Sequence, residues 1–546
     1  PIAGYSRCIR DAWCHVFRLI VHPGVLCGVP ARRARWYTAA KTPASYEEST
    51  LNIRAFYLAA GFGTLIGCAA VGPDYAGPPA TTADGIASWP SSTGGKDAGP
   101  TMTADEPPQT WWHQIDDNAL DALMSSAVAA NYDLRIAAAN IEAARSILTR
   151  QDTRRRPSVD VGATVEERRS SSAFFVAANS EDRFPTTTSG IFSADLSWEI
   201  DLFGRVRRSI EAASANLGSL EAVRDGVMVS VLGSVARAYV DLRGSQLRLD
   251  VARRNVAVQE QTLDLVEVLL NEGAATELDA ARARTQLLTS TARIPALEAQ
   301  ARASVNRLTT LTGRAPGALD ETVGAWEPLP ELAQLPDFVA VGSPSDLVRR
   351  RPDINAAERA LAAASAQIGV ATADLFPTVS FGANVGIGAA PLSALVDPGA
   401  PFFGLGPSLT WNVFDRAGIY ANIRQADSNA AVNLARYEAT VTTALEEVDT
   451  AISAYRNERL VRRQLGNALG SSRLAANLAR LRYREGVEDF LDVLDAERNL
   501  LIVEDQLAVS GIRVAQNLVD IHLALGGGWQ GVTPPSHQPY DPQSAR

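Results

Sequence analysis

The sequence predicts a mixed α and β protein, built mainly from very long α-helices and completed by four short strands. Two Pro-free stretches, at about 208–270 and 421–483, have helical composition throughout. Four shorter segments alternate apolar and polar residues with period 2, which is typical of strands with two unlike faces. The whole pattern occurs twice along the chain. The fold class therefore follows from long helices, amphipathic strands and an internal duplication.

Composition excludes several functional classes. The net charge of −10 argues against a nucleic-acid surface. The cysteines are confined to the first 68 residues, and the five histidines include no pair at ligand spacing. We find no Gly-rich phosphate loop and no nucleophile elbow. The sequence therefore predicts no enzyme, no metal site and no cofactor.

The first 67 residues are predicted to be an upstream extension followed by a signal peptide. The apolar run at 55–67 is too short to span a membrane but fits the core of a secretory signal. It ends in Leu-Ile-Gly-Cys, which is similar to a bacterial lipobox and makes Cys68 the predicted lipidation site. An ordinary buried cysteine is the alternative. Ala69, rather than Asp, favours delivery to the outer membrane.

Residues 68–112 are predicted to be a lipid-anchored extended segment, because Pro, Gly, Ser and Thr dominate without a helical or strand period. Two repeats follow, at 113–315 and 344–527, and 528–546 is predicted to be a flexible tail. An offset of 220 aligns Pro157 with Pro377, and an offset of 213 aligns Trp198 with Trp411. Each repeat is expected to contain a helix, two strands, a very long helix, a tight turn and another long helix.

The strands are expected at about 157–166, 191–202, 377–388 and 403–414. Each is about as long as the 9–11 residues that a tilted membrane strand requires. One apolar face and one polar face suit a water-filled barrel in lipid. A soluble sheet with one wet face is the alternative. Four strands cannot enclose a channel, because eight only just enclose side chains.

The two long stretches would form helices on the order of 95 Å long, at 1.5 Å per residue. A soluble coiled coil is the simpler interpretation of such helices taken alone. A tight turn is predicted at Gly273 and another at Gly486, because Gly ends a helix without a Cβ penalty.

Over about residues 68–529, the sequence resembles the bacterial outer membrane factor family of TolC-like, NodT/OprM-type efflux lipoproteins. The motifs that carry the resemblance are the Cys68 lipobox, Val-Gly-Pro-Asp-Tyr at 71–75, Trp-Glu-Ile-Asp-Leu-Phe-Gly at 198–204, Arg-Arg-Pro-Asp at 350–353, Phe-Pro at 376–377 and Arg-Tyr-Arg-Glu-Gly at 482–486.

The resemblance implies a homotrimer in the bacterial outer membrane. Three chains would pool their strands into one 12-stranded transmembrane β-barrel and their helices into a long periplasmic α-barrel. The implied function is a passive exit duct of a tripartite efflux system. The implied partners are a periplasmic membrane-fusion adaptor and an inner-membrane pump, of the resistance–nodulation–division type.

The resemblance also implies a gate at the hairpin tips. The matching positions place Asp495 in a constricting acidic ring and Arg482 and Tyr483 in a lock between neighbouring helices. Asp492, one turn before Asp495 on the same helix face, is our addition. Like charges close to a threefold axis would repel one another and favour cations. The alternative is a solvated helix start, where Asp is common.

Two further functional hypotheses stay open at this stage. A lipid-anchored coiled-coil adaptor would make the alternating strands a soluble sheet. A type I protein-secretion duct would keep the channel and change its cargo. The lipobox favours efflux, because secretion ducts of the family mostly lack one.

Overall fold

The computed structural model describes residues 70–78, 80, 89, 101–169, 186–323 and 338–533. The predicted signal peptide and the predicted lipidation site Cys68 lie outside the described residues. The first repeat contains α1 (Asn118–Ala130), α2 (Tyr132–Thr153), β2 (Ser158–Arg169), β3 (Thr186–Ile200), α3 (Arg205–Asn271), α4 (Glu277–Thr291) and α5 (Ile294–Leu311). The second contains α8 (Pro352–Ala373), β5 (Thr378–Ala389), β6 (Pro401–Thr410), α9 (Arg416–Arg484) and α10 (Phe490–Ala524). The short strand β1 (Thr101–Thr103) precedes the first repeat, and α6 (Asp320–Val323), β4 (Phe338–Ala340) and α7 (Pro344–Arg350) lie between the two.

The four predicted strands form one antiparallel sheet in the order β2-β3-β5-β6. Its register aligns the apolar positions of all strands, as in the row Val161, Ala194, Val385 and Phe403. The row beside it is polar or small: Asp160, Asp195, Asn384 and Gly404. Since opposed residues of an antiparallel pair share a face, the sheet has one continuous apolar face and one polar face.

Three strand boundaries differ clearly from those expected, the first being the end of β2 at Arg169 rather than at 166. β3 starts at Thr186 because its pairing with β2 extends as far as Arg169. β6 ends at Thr410, short of the expected 414. The indole of Trp411 donates instead to the carbonyl of Leu375, 3.1 Å away, just before β5. This bond closes the end of the sheet where the long helix begins.

The long helices are confirmed, with 67 residues in α3 and 69 in α9. At 1.5 Å per residue each is about 100 Å long. No helix in the described part of the chain combines the length and apolar character needed to cross a membrane.

One expected element is wrong in the first repeat. The helix after Gly273 is not continuous: α4 ends at Thr291 and α5 begins at Ile294. Pro295 lies in the first turn of α5, where its missing N–H costs nothing. The equivalent position at offset 213 is Ala508, inside the unbroken α10. A proline therefore divides one helix, and an alanine leaves its counterpart whole.

The core lies along the helices in separate clusters. One surrounds Trp111 and Tyr239 between α1, α3 and α5, and a second surrounds Tyr437 and Tyr455 between α9 and α10. The start of the predicted flexible tail belongs to this packed body. Trp529 is half-buried, and its indole donates to the carbonyl of Arg350 at 3.2 Å. Residues 528–533, the described part of the predicted tail, therefore belong to the packed body, and the predicted boundary at 528 is wrong.

A buried arginine fixes the N-terminal segment. Arg208 of α3 has a side chain only 4% exposed, and it donates to the carbonyls of Val71 and Gly72 and to the carboxylate of Asp74. Gly72 has φ +90°, and a Cβ there would lie 2.4 Å from the Cα of Gly369. A side chain at position 72 is thus excluded twice, by backbone conformation and by space. The segment is held against α3 and α8, beside the base of the sheet.

Candidate functional site at the two hairpin tips

Both hairpins turn through the same backbone geometry. Gly273 and Gly486 have φ angles of +75° and +70°, in the left-handed region that favours glycine. In each turn the amide after the glycine donates to a carbonyl five residues back, from Ala274 to Leu269 and from Val487 to Arg482. The tips therefore present two similar ends, formed by α3 and α4 and by α9 and α10.

A small apolar cluster joins the two tips. Val266 from α3, Ala280 and Ala283 from α4, and Phe490 and Val493 from α10 are all buried in it. Tyr483 packs against its edge, with its ring 5.5 Å from that of Phe490. Burial raises the pKa of the Tyr483 hydroxyl, and the charge of Asp279 adds to the increase. Tyr483 thus belongs to the contact between the two hairpins of one protomer.

Arg482 is engaged within its own hairpin. Its Nε lies 2.7 Å from Oε2 of Glu488, in the turn between α9 and α10. In one protomer the structure therefore pairs Arg482 across the Gly486 turn.

Asp492 and Asp495 both lie in the first two turns of α10 and are exposed. They are separated by three residues, so they occupy one face of the helix. The amide of Asn499 donates to Asp495 at 3.1 Å. The two carboxylates are therefore presented together at the tip, on the surface of the protomer.

Sequence reasoning missed the strongest polar contact of this region. Glu497 is only 5% exposed. Its Oε1 accepts from Nε of Arg480 at 2.7 Å and from the hydroxyl of Thr262 at 3.0 Å. The contact ties α10 both to α9 and to α3. A buried carboxylate with two donors holds the second hairpin to the first.

The internal repeat contained a signal for this contact. At offset 213, Arg480 and Glu497 correspond to Glu267 and Arg284, which form an ion pair of 2.7 Å in the first hairpin. The charges are reversed and the geometry is kept. An exchange of opposite charges at two equivalent positions would have indicated paired side chains.

The tips combine charged, polar and apolar contacts. Within the described ranges, no three His, Cys, Asp or Glu side chains converge as metal ligands. The tips contain the exposed face with Asp492 and Asp495, the apolar cluster, and the ion pair of Arg480 and Glu497. Taken with the sheet and the long helices, these features define a channel-forming membrane protein.

Comparison with known proteins gives the family. The profile described as outer membrane efflux protein matches residues 123–314 and 343–527. The outer membrane protein OprJ of Pseudomonas aeruginosa is 32% identical over 467 residues, which cover 85% of this chain and 94% of OprJ. Nodulation protein T of Rhizobium leguminosarum bv. trifolii is 28% identical over 477 residues, covering 86% of this chain and 97% of that protein. This chain belongs to the outer membrane efflux protein family.

Solved structures agree with the assignment. The outer-membrane channel OprN has a TM-score of 0.77 and 36% sequence identity, and the match covers 84% of this chain and 99% of OprN. The open state of the Neisseria gonorrhoeae MtrE outer membrane channel has a TM-score of 0.71 and 27% identity, covering 86% of this chain and all of MtrE (100%). The protein is thus an outer-membrane efflux channel with a long periplasmic helical part. The expected family, fold class and location are confirmed, and the coiled-coil adaptor alternative is wrong.

Proposed function

We propose that three copies of this chain form a passive exit duct that performs no chemistry. Each copy contributes its four strands to a 12-stranded barrel and its long helices to a periplasmic α-barrel. The observation that carries the proposal is the sheet. It has a continuous apolar face, and among the described residues β2 and β6 each pair along only one edge. Lipid offers no hydrogen-bond partner to the unpaired backbone groups of these two edge strands, and pairing with further copies would supply one.

The duct would receive its cargo from an inner-membrane pump of the resistance–nodulation–division type through a periplasmic adaptor. The name of one relative supports a role in an efflux pump. The antibiotic efflux pump outer membrane protein ArpC of Pseudomonas putida is 30% identical over 480 residues. Such relatives favour small-molecule efflux over protein secretion.

Cys68 would carry the lipid that anchors the chain, and no other cofactor is proposed. The Arg208 contacts support this assignment, because they hold Val71 beside the base of the sheet. Two residues of extended chain span only about 7 Å between Ala70 and Cys68. A lipid on Cys68 would therefore lie close to the level at which the apolar sheet begins.

The gate would be a ring formed by Asp492 and Asp495 of three copies. Six carboxylates near one axis would repel one another and attract cations. Glu497 would help to position the ring, because the hydrogen bond from Thr262 holds α10 against α3 and the pair with Arg480 holds it against α9. Opening would require the second hairpin to break the hydrogen bond between Glu497 and Thr262 or to move together with α3.

Planar bilayers test the gate. Wild type is expected to give small, cation-selective single-channel currents, and Asp492→Ala/Asp495→Ala is expected to give clearly larger ones with weaker selectivity. The matched control is Glu277→Ala/Glu485→Ala, which removes two exposed tip carboxylates outside that α10 face. If the control raised conductance as much as the Asp variant, the ring assignment would fail. No current from any variant would contradict the duct itself.

A further inference from the structure

We propose that the loop between β5 and β6, residues 390–400, is a lipid-binding surface that contacts the acyl chains of the outer leaflet. The side chains that make this contact are Leu392, Leu395 and Val396, which belong to the short 3-10 helix Leu392–Val396. The inference rests on the barrel proposed above, since it takes the apolar face of the sheet as the face that meets lipid.

The loop lies at the outer end of the sheet. Helices α2 and α8 precede β2 and β5, and α3 and α9 follow β3 and β6, so all four helices join the sheet at one end. The helical part is periplasmic. The opposite end, where β5 ends at Ala389 and β6 begins at Pro401, therefore faces the exterior of the cell.

Gly190 shows which face of the sheet the loop covers. It lies two residues before Phe192 in β3 and therefore shares the apolar face with it. A Cβ on Gly190 would lie 2.4 Å from Cδ1 of Leu392 and 2.9 Å from Cδ1 of Leu395. Gly190 is buried, whereas Phe192 is 53% exposed. The two leucines therefore pack on the backbone of Gly190, on the apolar side of the sheet.

A glycine on the other face has different neighbours. Gly388 lies opposite Ile191, in a row of the polar face. A Cβ on Gly388 would lie 3.3 Å from Cε1 of Phe402 and 3.5 Å from Cγ1 of Ile191. Both of these neighbours are strand residues. The loop residues Leu392 and Leu395 thus cover the face that is directed at lipid, and strand side chains occupy the polar face at the same height.

The height of the apolar face gives this loop a purpose. The apolar side chains of β3 run from Phe192 to Ile200, which is about 26 Å along the strand at about 3.3 Å per residue. With a strand tilt of about 35–45°, this row is about 20 Å tall, whereas the apolar band of such barrels is about 25 Å tall. Gly190 adds no side chain to the row. Leu392 and Leu395 supply apolar side chains where the strand does not.

Val396 extends the same surface. It is 90% exposed, and Leu392 is 38% exposed. Exposed apolar area is unfavourable in water, and the cost grows with the area. Asp397, the next residue, is exposed and carries a charge, which suits the water side of the boundary. The loop therefore changes from apolar to charged within one residue.

The backbone of the loop is suited to the margin of a lipid layer. Three of its amides, those of Ala394, Asp397 and Ala400, each donate to the carbonyl three residues back at 2.9 to 3.1 Å. The amide of Gly388 donates to the carbonyl of Ala400 at 2.9 Å and ties the loop to β5. Irregular backbone does not occur in the middle of the hydrocarbon, where unsatisfied groups are costly. The loop therefore lies at the outer edge of the acyl-chain layer.

Fluorescence quenching tests the contact. The chain has no cysteine after Cys68, so a single introduced cysteine can be labelled, with labelled wild type as the blank. The full chain with Val396→Cys carries the fluorophore NBD and is reconstituted in phosphatidylcholine vesicles. Phosphatidylcholine with a doxyl group on its acyl chain should quench this probe at least about threefold more than a probe at Asn384→Cys. Iodide in the water should quench it at least about threefold less.

Two sites in β5 serve as controls. Val385→Cys lies on the apolar face and is the lipid control, and Asn384→Cys lies on the polar face and is the water control. If lipid quenches the probe at Val385 while only iodide or a head-group-labelled lipid quenches the probe at Val396, the acyl-chain contact is overturned and the barrel stands. If iodide but not lipid also quenches the probe at Val385, the proposed barrel fails as well.

A pair of glycine variants tests what holds the loop in place. Gly190→Val would push Leu392 and Leu395 off the sheet, and the probe at Val396 is expected to lose at least half of its quenching by lipid. Gly162→Val is the matched control, because a Cβ on Gly162 meets nothing within 4 Å on the polar face. This variant should leave the quenching unchanged. Equal quenching in both variants would show that packing on Gly190 does not position the loop, and would overturn this part of the inference.

Discussion

The two hairpin tips have the same backbone conformation but differ in how deeply their ion pairs are buried. Glu267 and Arg284 form their ion pair on the surface, with side chains 43% and 59% exposed. Arg480 and Glu497 form theirs with side chains 26% and 5% exposed, and Thr262 of the first hairpin joins them. The first pair stabilises its own hairpin, and the second also ties one hairpin to the other.

The difference shows that equivalent positions need not have equivalent energies. An exposed pair contributes about 0–1 kcal/mol, because water solvates both charges when they separate. Removing one partner of a buried pair leaves a carboxylate without its counter-charge, which costs about 3–5 kcal/mol. The second tip is therefore the one whose movement carries a free-energy cost.

The largest expected effect comes from cutting the buried pair. Arg480→Ala should lower the local opening free energy of the α9–α10 tip by about 3 kcal/mol, and Glu267→Ala should lower that of the other tip by less than about 1 kcal/mol. Amide hydrogen exchange at residues 474–500 and 262–290 measures both. Equal losses at the two tips would show that burial does not distinguish them.

The next effect concerns acid sensitivity at the other end of α10. His522 is fully buried, its ring lies 5.1 Å from that of Trp111, and burial lowers its pKa from 6.5 to about 3. Between about pH 6.5 and about pH 3, His522 is therefore protonated in the unfolded chain but not in the folded chain. Stability should fall as pH falls through this window, by roughly 1 kcal/mol per pH unit.

The first half supplies the matched variant. Thr309 occupies the position equivalent to His522, is buried, and donates its hydroxyl to the carbonyl of Val305 at 2.8 Å. His522→Thr should remove most of the loss in unfolding midpoint between pH 7 and pH 4.5, whatever its effect at pH 7. An unchanged pH profile would place the acid sensitivity elsewhere.

The smallest effect should be the same at both tips. Gly273→Ala and Gly486→Ala each place a Cβ in open space but at a positive φ. Each should therefore cost about 1 kcal/mol, from the left-handed conformation alone. Thermal unfolding of the two variants measures the cost. A much larger loss at Gly486 would indicate that this turn is under additional constraint.

Much of the fold followed from the sequence, because its signals are local. The alternation of apolar and polar residues along 192–200 predicted which residues share a face of β3. The two Pro-free stretches predicted the ends of α3 and α9 to within five residues. The break before Pro295 does not follow from the repeat, because the equivalent residue Ala508 lies inside an unbroken helix. The tip was found in part. Asp492 and Asp495 lie on one exposed face as expected, whereas the sequence alone does not single out Glu497, whose burial depends on contacts with α3 and α9.

By itself the sequence determined the repeat, the strand faces, the lengths of α3 and α9 and the turns at Gly273 and Gly486, since each depends on neighbouring residues and backbone preference. Only the tertiary structure decided which charges are buried and which segments meet across the chain. Arg208 holds Asp74, and Glu497 meets Thr262 after a separation of 235 residues. Burial and long-range pairing are properties of packed surfaces, and equal side chains on one helix acquire different energies only when a second helix covers one of them.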